Sequence, residues 1–184
     1  MPAGGTGLVL RGLRKEPATI GKWHLGWDLT YKEGKAKTVD NIDFTKRVAN
    51  GPTDRGFDYF YGLTSPSGPP HLYMVNDMAE KQPNTRFEES GGGLYKIKGG
   101  IGHSDWSADG MQPHLADKML EYLDENKDSD KPFFLYMALT APHIPLFPSK
   151  EFKGKSKIGD YGDLVMMIDA VSYTHLRAHE TLRH

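Results

Sequence analysis

The sequence predicts an α/β fold with a mostly parallel central sheet flanked by helices, and three observations support this prediction. Residues 18–20 and 133–139 are short apolar runs, and the second run is apolar at every position. Such runs are typical of strands that are covered on both faces of a parallel sheet. Residues 111–126 carry apolar side chains on one stripe, which predicts a helix directly before the second strand.

Composition limits the class of protein. The chain has 184 residues, 38% hydrophobic and 26% charged, enough for one domain with a core or for a piece of a larger one. Its net charge of -1 gives no electrostatic reason to expect a nucleic acid or an anionic membrane as partner. No apolar stretch approaches the roughly 20 residues of a membrane span, and residues 1–5 lack a signal-peptide pattern. The absence of cysteine excludes disulfides and thiolate metal sites.

Polar residues follow both predicted strands directly. Lys22 and His24 come after the first strand, and His143 comes after the second, within the Thr-Ala-Pro-His-Ile-Pro block at residues 140–145. Because open α/β sheets bind ligands at the carboxyl ends of their strands, we expect these three side chains to share one crevice. Without further context, we interpret Lys22 and His24 as ordinary loop residues in preference to site residues, whereas His143 is equally compatible with a turn residue that packs on Phe147.

The remaining segments are interpreted in chain order. Residues 28–50 are charged and polar, which indicates a surface excursion. Residues 57–61 form an aromatic cluster, which we interpret as core packing in preference to sugar stacking. Residues 72–75 predict a short strand, and residues 76–110 predict a long loop whose glycines lack the Gly-Lys-Ser/Thr ending of a phosphate loop. Residues 161–169 predict the first turns of a buried helix.

Two further histidines lie in the predicted loops. His71 follows a Ser/Pro/Gly stretch, and we interpret it as a surface residue in preference to a residue of a substrate-facing loop. His103, with Asp105 and Trp106 close by in the sequence, is compatible with the wall of a pocket.

Both ends of the chain differ from its interior. Residues 1–7 are small and without periodicity, and we interpret them as a frayed or foreign start, with the domain beginning at residue 8 and ending at residue 169. Residues 170–184 are interpreted as a foreign tail. His175 and His179 lie four positions apart, but the next histidine comes one position too late for a His-Glu-x-x-His zinc motif, so no metal site is predicted.

Several sequence blocks occur together in a fixed order. They are Gly-Lys-Trp-His-Leu-Gly at residues 21–26, Arg-Gly-Phe-Asp-Tyr-Phe-Tyr-Gly at 55–62, Asp-Lys-Pro-Phe-Phe-Leu-Tyr at 130–136 with the block at 140–145, and Gly-Asp-Tyr-Gly-Asp at 159–163. In these blocks the chain resembles the formylglycine-dependent sulfatases of the alkaline phosphatase superfamily, most closely the arylsulfatase A-like branch. The resemblance implies a partial alkaline-phosphatase-like sandwich that is incomplete at both ends.

The resemblance also implies roles for individual residues. Lys22 would bind the sulfate and support the formylglycine, and His24 would hydrogen-bond a hydroxyl of the formylglycine hydrate. His143 would contact the sulfate ester and help the alcohol to leave, and Ser67 would assist, with Ser65 as the next choice. The parent protein would use calcium, would cleave sulfate monoesters of small molecules or polysaccharides, and would act in the periplasm, the lysosome or outside the cell.

The chain departs from the family pattern at several points. It has no Cys- or Ser-x-Pro-Ser-Arg motif to supply formylglycine, and it lacks the paired aspartates, the Asp-Asn pair and the second lysine of the family. Since calcium needs several oxygen ligands together, we expect no competent calcium site here. Three hypotheses follow: a sulfatase parent of which this is an interior piece, a catalytically inactive fragment or pseudo-enzyme that binds anionic sugars, and a phosphoesterase or phosphonate hydrolase of the same superfamily.

Overall fold

The computed structural model describes residues 16–170 and 172–173. Within them, none of the helices is long and apolar enough to cross a membrane. The predictions for residues 1–7, for the start of the domain at residue 8 and for the tail histidines lie outside the described residues. The strands and helices that the structure describes are β1 (Glu16–Lys22), β2 (Tyr59–Leu63), β3 (Met74–Val75), β4 (Met78–Ala79), β5 (Thr85–Phe87), β6 (Gly100–Gly102), α1 (Met111–Asn126), β7 (Phe133–Ala138) and α2 (Asp160–Ala170).

The main sheet has the strand order β4-β3-β2-β1-β7, and a separate two-stranded sheet pairs β5 with β6. The three longest strands are parallel, with β1 between β2 and β7. The short strands β3 and β4 continue the sheet in antiparallel order beyond β2. This confirms the predicted α/β class with an open central sheet, and it brings the carboxyl ends of β1, β2 and β7 to the same edge.

One face of the sheet is covered by α1, as the amphipathic pattern of residues 111–126 predicts. Leu115 and Met119 are almost fully buried and pack with Ile20 of β1 and Tyr61 of β2. Fully burying an aliphatic side chain of this size contributes about 1.5–3 kcal/mol. The same cluster includes Leu63 at the end of β2.

The segment 28–50 covers the opposite face, so its interpretation as a surface excursion is wrong in part. Ile42, Phe44 and Val48 are at most 6% exposed and cluster with residues of β2 and β3. These apolar residues are separated by charged ones without helical or strand periodicity, which conceals them in the sequence. The core assignment of the aromatic segment 57–61 is confirmed at its centre, where Phe60 and Tyr61 are at most 2% exposed.

The prediction of a structureless loop over residues 76–110 is also wrong in part, since β4, β5 and β6 lie within it. Each of these strands has only two or three residues. Such lengths are too short to produce a recognisable alternation of apolar and polar residues.

Strand β7 is not covered on both faces, contrary to what its continuous apolar run predicts. Phe134 is 38% exposed and Tyr136 is 51% exposed. Both lie on the same face of β7, which is an edge strand of the main sheet. Edge strands with exposed apolar side chains favour association between chains, so we expect association at this face of β7.

Small residues at the carboxyl ends of the parallel strands allow the backbones to approach closely. Gly21 of β1 is in register with Gly62 of β2 and with Ala138 of β7. A Cβ atom added at Gly62 would lie 1.7 Å from the carbonyl oxygen of Gly21, and one at Gly21 would lie 2.0 Å from the carbonyl oxygen of Ala138. Neither contact can be relieved by a side-chain rotation, because both involve backbone atoms.

We therefore expect Gly62→Ala to lower the free energy of unfolding by about 2 kcal/mol or more, in the upper range of overpacking effects. Urea unfolding followed by circular dichroism measures this change. Gly92→Ala is the matched control, because Gly92 has a φ of -160° and its added Cβ would meet nothing within 4 Å. Equal stabilities for the two variants would contradict the close approach of β1 and β2.

Candidate active site at the carboxyl ends of the parallel strands

Lys22 is the last residue of β1 and is in register with Leu63 of β2. Ile20 belongs to the core on the α1 side, whereas Trp23 belongs to the cluster on the other side, so strand alternation places Lys22 on the α1 side. The side chain is partly buried. In the described part of the chain, no carboxylate forms an ion pair with Lys22.

His24 lies two residues beyond β1 and is exposed. Its Nδ1 atom is 3.3 Å from the backbone carbonyl oxygen of Thr64, the first residue after β2. A carbonyl oxygen can only accept a hydrogen bond, so Nδ1 carries the proton and Nε2 remains available for another group. This contact also links the segments that follow β1 and β2.

His143 has the same arrangement in the segment that follows β7. Its Nδ1 atom is 2.5 Å from the carbonyl oxygen of Ile144, which again leaves Nε2 available. The segment is held by its flanking residues, since Ala141 and Leu146 are buried against Leu164 and Met167 of α2. The exposed imidazole of His143 is therefore carried on a fixed turn.

Helix α2 is in turn tied to the loop that precedes it by Asp163. This carboxylate is fully buried and accepts hydrogen bonds from the backbone N–H groups of Gly154 and Ser156, at 2.7 and 2.6 Å. A buried carboxylate is tolerated only when such donors compensate for its lost hydration. The Gly-Asp-Tyr-Gly-Asp block thus contributes to the site indirectly, by fixing the helix against which the His143 segment packs.

The loop after β2 contains both serine candidates, and they have different contacts. Ser65 accepts hydrogen bonds at its Oγ from the backbone N–H groups of Ser67 and Gly68, at 3.4 and 3.2 Å, so this hydroxyl shapes the loop. Ser67 accepts a hydrogen bond at its carbonyl oxygen from the N–H of Lys98, at 2.9 Å, and its hydroxyl bonds no described residue. Of the two, Ser67 has the hydroxyl that is available to a ligand.

The four predicted site residues lie at or after the carboxyl ends of β1, β2 and β7, which share one edge of the sheet. Within residues 16–170, however, no hydrogen bond or ion pair joins the side chains of Lys22, His24, Ser67 and His143 to one another. Their direct contacts are to backbone groups, which orient them individually. Their joint action on a ligand stays a prediction.

The described residues do not supply a calcium site. No group of three or more histidine, aspartate or glutamate side chains is placed to hold a metal ion in this part of the chain. Calcium takes about six to eight oxygen ligands, so the donor set present does not fit it.

Sequence reasoning missed the elements that connect these loops. Thr64 orients His24 through its backbone carbonyl, and Leu94 is bonded through its carbonyl oxygen to the N–H of Leu146, at 2.8 Å. Hydrogen bonds between backbone atoms do not depend on the residue type, so the sequence does not indicate them. The only sign of the second connection is the Gly-Gly-Gly run at residues 91–93, which the sequence marks as a flexible point.

His71 is buried, so its interpretation as a surface residue is wrong. It is 1% exposed, and its ring lies between Trp106 and Phe87, with centroid distances of 4.5 and 5.0 Å. Its Nε2 atom donates to the carbonyl oxygen of Lys98 at 2.7 Å, and Nδ1 has no partner in the described structure. Burial lowers the pKa of His71, and the hydrogen bond to Lys98 opposes this shift only in part.

The pocket-wall interpretation of the 103–106 segment agrees with the structure. His103, Asp105 and Trp106 line a cavity of about 360 Å³, together with Glu80 and His114. Beside it, the Tyr61 hydroxyl donates to Glu80 at 2.8 Å and accepts from His114 Nε2 at 2.7 Å. Burial, and next the hydrogen bond to Glu80, raise the pKa of Tyr61.

The sulfatase family model matches residues 9–172. The chain belongs to the sulfatase family. N-acetylgalactosamine-6-sulfatase of Canis lupus familiaris is 29% identical over 150 residues, which are 82% of this chain and 24% of that protein. N-acetylgalactosamine-6-O-sulfatase of Bacteroides thetaiotaomicron is 26% identical over 182 residues, covering 82% of this chain and 34% of that protein.

Solved structures show the same fold. A Bacteroides thetaiotaomicron protein from work on the metabolism of multiple glycosaminoglycans superposes with a TM-score of 0.70 at 20% identity, over 95% of this chain and 42% of that one. A sulfatase from Pseudoalteromonas sp. superposes with a TM-score of 0.54 at 19% identity, over 92% of this chain and 34% of that one. This sulfatase-family chain therefore spans about a quarter to a third of the length of the curated relatives named above.

The burial of His71 predicts a specific pH dependence of stability. The pKa of His71 in the folded chain is lowered from 6.5, so below about pH 6.5 the unfolded chain takes up a proton that the folded chain does not. Stability is therefore full above pH 6.5 and falls as the pH decreases. We expect the free energy of unfolding of His71→Gln to fall less steeply with decreasing pH than that of the native chain. The difference between the two slopes should be at most about 1.4 kcal/mol per pH unit.

Urea unfolding of both proteins between pH 7.5 and 5.0 measures the two slopes. The glutamine amide can still donate to the carbonyl oxygen of Lys98, so the variant keeps the main hydrogen bond of the histidine. The same slope in both proteins would show that His71 takes up no proton on unfolding.

Proposed function

We propose that the protein to which these residues belong hydrolyses sulfate monoesters of carbohydrates, and that this chain forms part of the pocket for the sulfate group. The observation that carries the proposal is Lys22, a partly buried cation without a carboxylate partner among the described residues, at the carboxyl edge of a sulfatase-family sheet. A partly buried ammonium group is stabilised by an anion, and a sulfate ester carries one negative charge. The names of the relatives support a sulfated sugar as the substrate class.

The residues of this chain have distinct parts in the proposed reaction. Lys22 neutralises charge on the sulfate oxygens, and this interaction strengthens as water is excluded. When a nucleophile from another segment of the parent protein bonds to the sulfur and the ester sulfur–oxygen bond breaks, His143 in its imidazolium form would donate its Nε2 proton to the ester oxygen, so that a neutral alcohol leaves. Its Nδ1–H group donates to the carbonyl oxygen of Ile144 throughout, which keeps the ring oriented.

His24 and Ser67 complete the proposed site. The family uses a formylglycine hydrate as nucleophile, and His24 is suited to hold a hydroxyl of that group through Nε2 while Nδ1 remains on Thr64. The hydroxyl of Ser67 is suited to bond a sulfate oxygen. Because this chain contains no cysteine, it cannot supply a cysteine-derived nucleophile itself.

Binding of a sulfated monosaccharide to this 184-residue chain tests the proposal. We expect N-acetylgalactosamine 6-sulfate to bind, and the unsulfated sugar not to bind, in ligand-observed NMR titrations. Lys22→Met should weaken binding roughly 10- to 100-fold, which corresponds to the free energy contributed by one hydrogen bond to a charged group. Lys37→Met is the matched control, because Lys37 is exposed on the 28–50 segment.

Two outcomes would contradict this expectation. Equal binding by the native chain and Lys22→Met would remove Lys22 from the anion site. Preferential binding of N-acetylgalactosamine 6-phosphate would favour the phosphoesterase alternative. The phosphate group is a dianion, whereas the sulfate ester carries one negative charge, so the two ligands need different amounts of positive charge in the pocket.

We also expect the chain to bind without turnover. In assays of 4-nitrophenyl sulfate and 4-nitrophenyl phosphate, release of 4-nitrophenol should equal that of a His24→Gln/His143→Gln variant, because neither protein contains the nucleophile motif. Turnover that depends on the two histidines would show that water attacks directly, and the assignment of the nucleophile to another segment would then be wrong.

A further inference from the structure

The segment 89–98 runs along the carboxyl edge of the main sheet and is bonded to the loops on both sides of β1. Lys98 donates its N–H to the carbonyl oxygen of Ser67, in the loop that follows β2, at 2.9 Å. Leu94 accepts at its carbonyl oxygen from the N–H of Leu146, in the segment that follows β7, at 2.8 Å. Since β1 lies between β2 and β7, the segment flanks the exit of β1.

The segment is a fixed loop, because its own contacts close it. Ser90 and Ile97 exchange two backbone hydrogen bonds of 3.0 and 2.9 Å, and Ile97 is 5% exposed within the core under α1. Gly91 has a φ of +68°, and a Cβ there would lie 2.2 Å from the carbonyl oxygen of Tyr95, so the tight turn requires a glycine. The ring of Tyr95 also meets that of Phe147 edge-on, at 6.1 Å.

The tip of this loop exposes apolar side chains. Leu94 is 54% exposed and Tyr95 is 40% exposed, and Ile144, the neighbour of His143, is 42% exposed. A fixed loop cannot turn these side chains away from water. Sugar rings present C–H faces that pack on such surfaces, and an aromatic ring with a polar tip is suited to that contact.

We propose that the tip of this loop, Leu94 and Tyr95, binds the alcohol part of the sulfate ester and so determines which sulfated sugars the site accepts. This inference rests on the proposed function, because it needs a sulfate held at Lys22. The sulfate then lies at the exit of β1, and the sugar ring extends over Leu94 and Tyr95 toward the His143 segment.

Two probes separate the alcohol part of the ligand from the sulfate. Inorganic sulfate has no ring, whereas N-acetylgalactosamine 6-sulfate has both parts, and both are titrated into the 184-residue chain by ligand-observed NMR. Leu94→Ala should weaken binding of the sugar sulfate about five- to tenfold, by loss of apolar contact area, and should leave inorganic sulfate unchanged. The hydrogen bond to Leu146 involves the backbone of Leu94 and persists in the variant.

Control variants test whether the effect is local. Ile158→Ala removes a side chain that is 75% exposed elsewhere on the surface, and it should change neither affinity. Leu94→Met keeps the apolar volume and should bind the sugar sulfate as the native chain does. Thermal unfolding of each variant verifies that the fold is retained.

The outcomes distinguish this inference from the proposed function. If Lys22→Met abolishes binding of both probes while Leu94→Ala leaves the sugar sulfate unaffected, the loop does not contact the sugar and this inference is overturned alone. An equal loss for both probes in Leu94→Ala would also overturn it, by showing a structural effect. If the native chain binds neither probe, the proposed function and this inference both fail.

Discussion

The close approach of three backbones at Gly21, Gly62 and Ala138 is the constraint on which the candidate site depends. Any side chain at Gly62 would meet the carbonyl oxygen of Gly21 at 1.7 Å, so these strands can lie together only with no side chain between them. The residues just beyond then leave the sheet within a small area. Lys22 follows Gly21 directly, and Thr64, whose carbonyl orients His24, is two residues after Gly62. The site is therefore positioned by a packing feature that contains no chemically reactive group.

The two candidate histidines show how a loop can prepare a proton-transfer group without a carboxylate. In each, Nδ1 lies against a backbone carbonyl oxygen, of Thr64 for His24 and of Ile144 for His143. A carbonyl fixes the tautomer and the ring orientation as a carboxylate does, but it brings no negative charge to the pocket. This matters where the ligand is an anion, because a carboxylate would repel the sulfate that Lys22 is proposed to bind.

The sequence predicts the elements that have long, regular patterns. Helix α1 has the predicted bounds, because burial against one face imposes a period over many residues, and β1 and β7 lie where the continuous apolar runs place them, although β7 is exposed on one face. Parts with short or irregular patterns were predicted wrongly: β5 and β6 have three residues each, and Ile42, Phe44 and Val48 fill a core from an irregular segment.

In the site, motif residues such as Lys22 were identifiable because their types carry the chemistry. The loop containing Leu94 was not, because its connection to Leu146 uses only backbone atoms.

Partial burial without a carboxylate partner separates Lys22 from the other lysines that the structure describes. Lys81, Lys96 and Lys131 are substantially exposed, and each pairs with a carboxylate, at 2.9 Å for Lys96 and 3.3 Å for Lys131. Exposed pairs of this kind contribute at most about 1 kcal/mol, so these lysines would also be stable in water alone. Lys22 is less exposed and has no carboxylate partner among the described residues, so its positive charge is uncompensated in this part of the chain. A cation in that state loses hydration without compensation until an anion binds, and the loss makes binding of the anion more favourable. The unpaired charge is thus consistent with a site that is completed by its substrate.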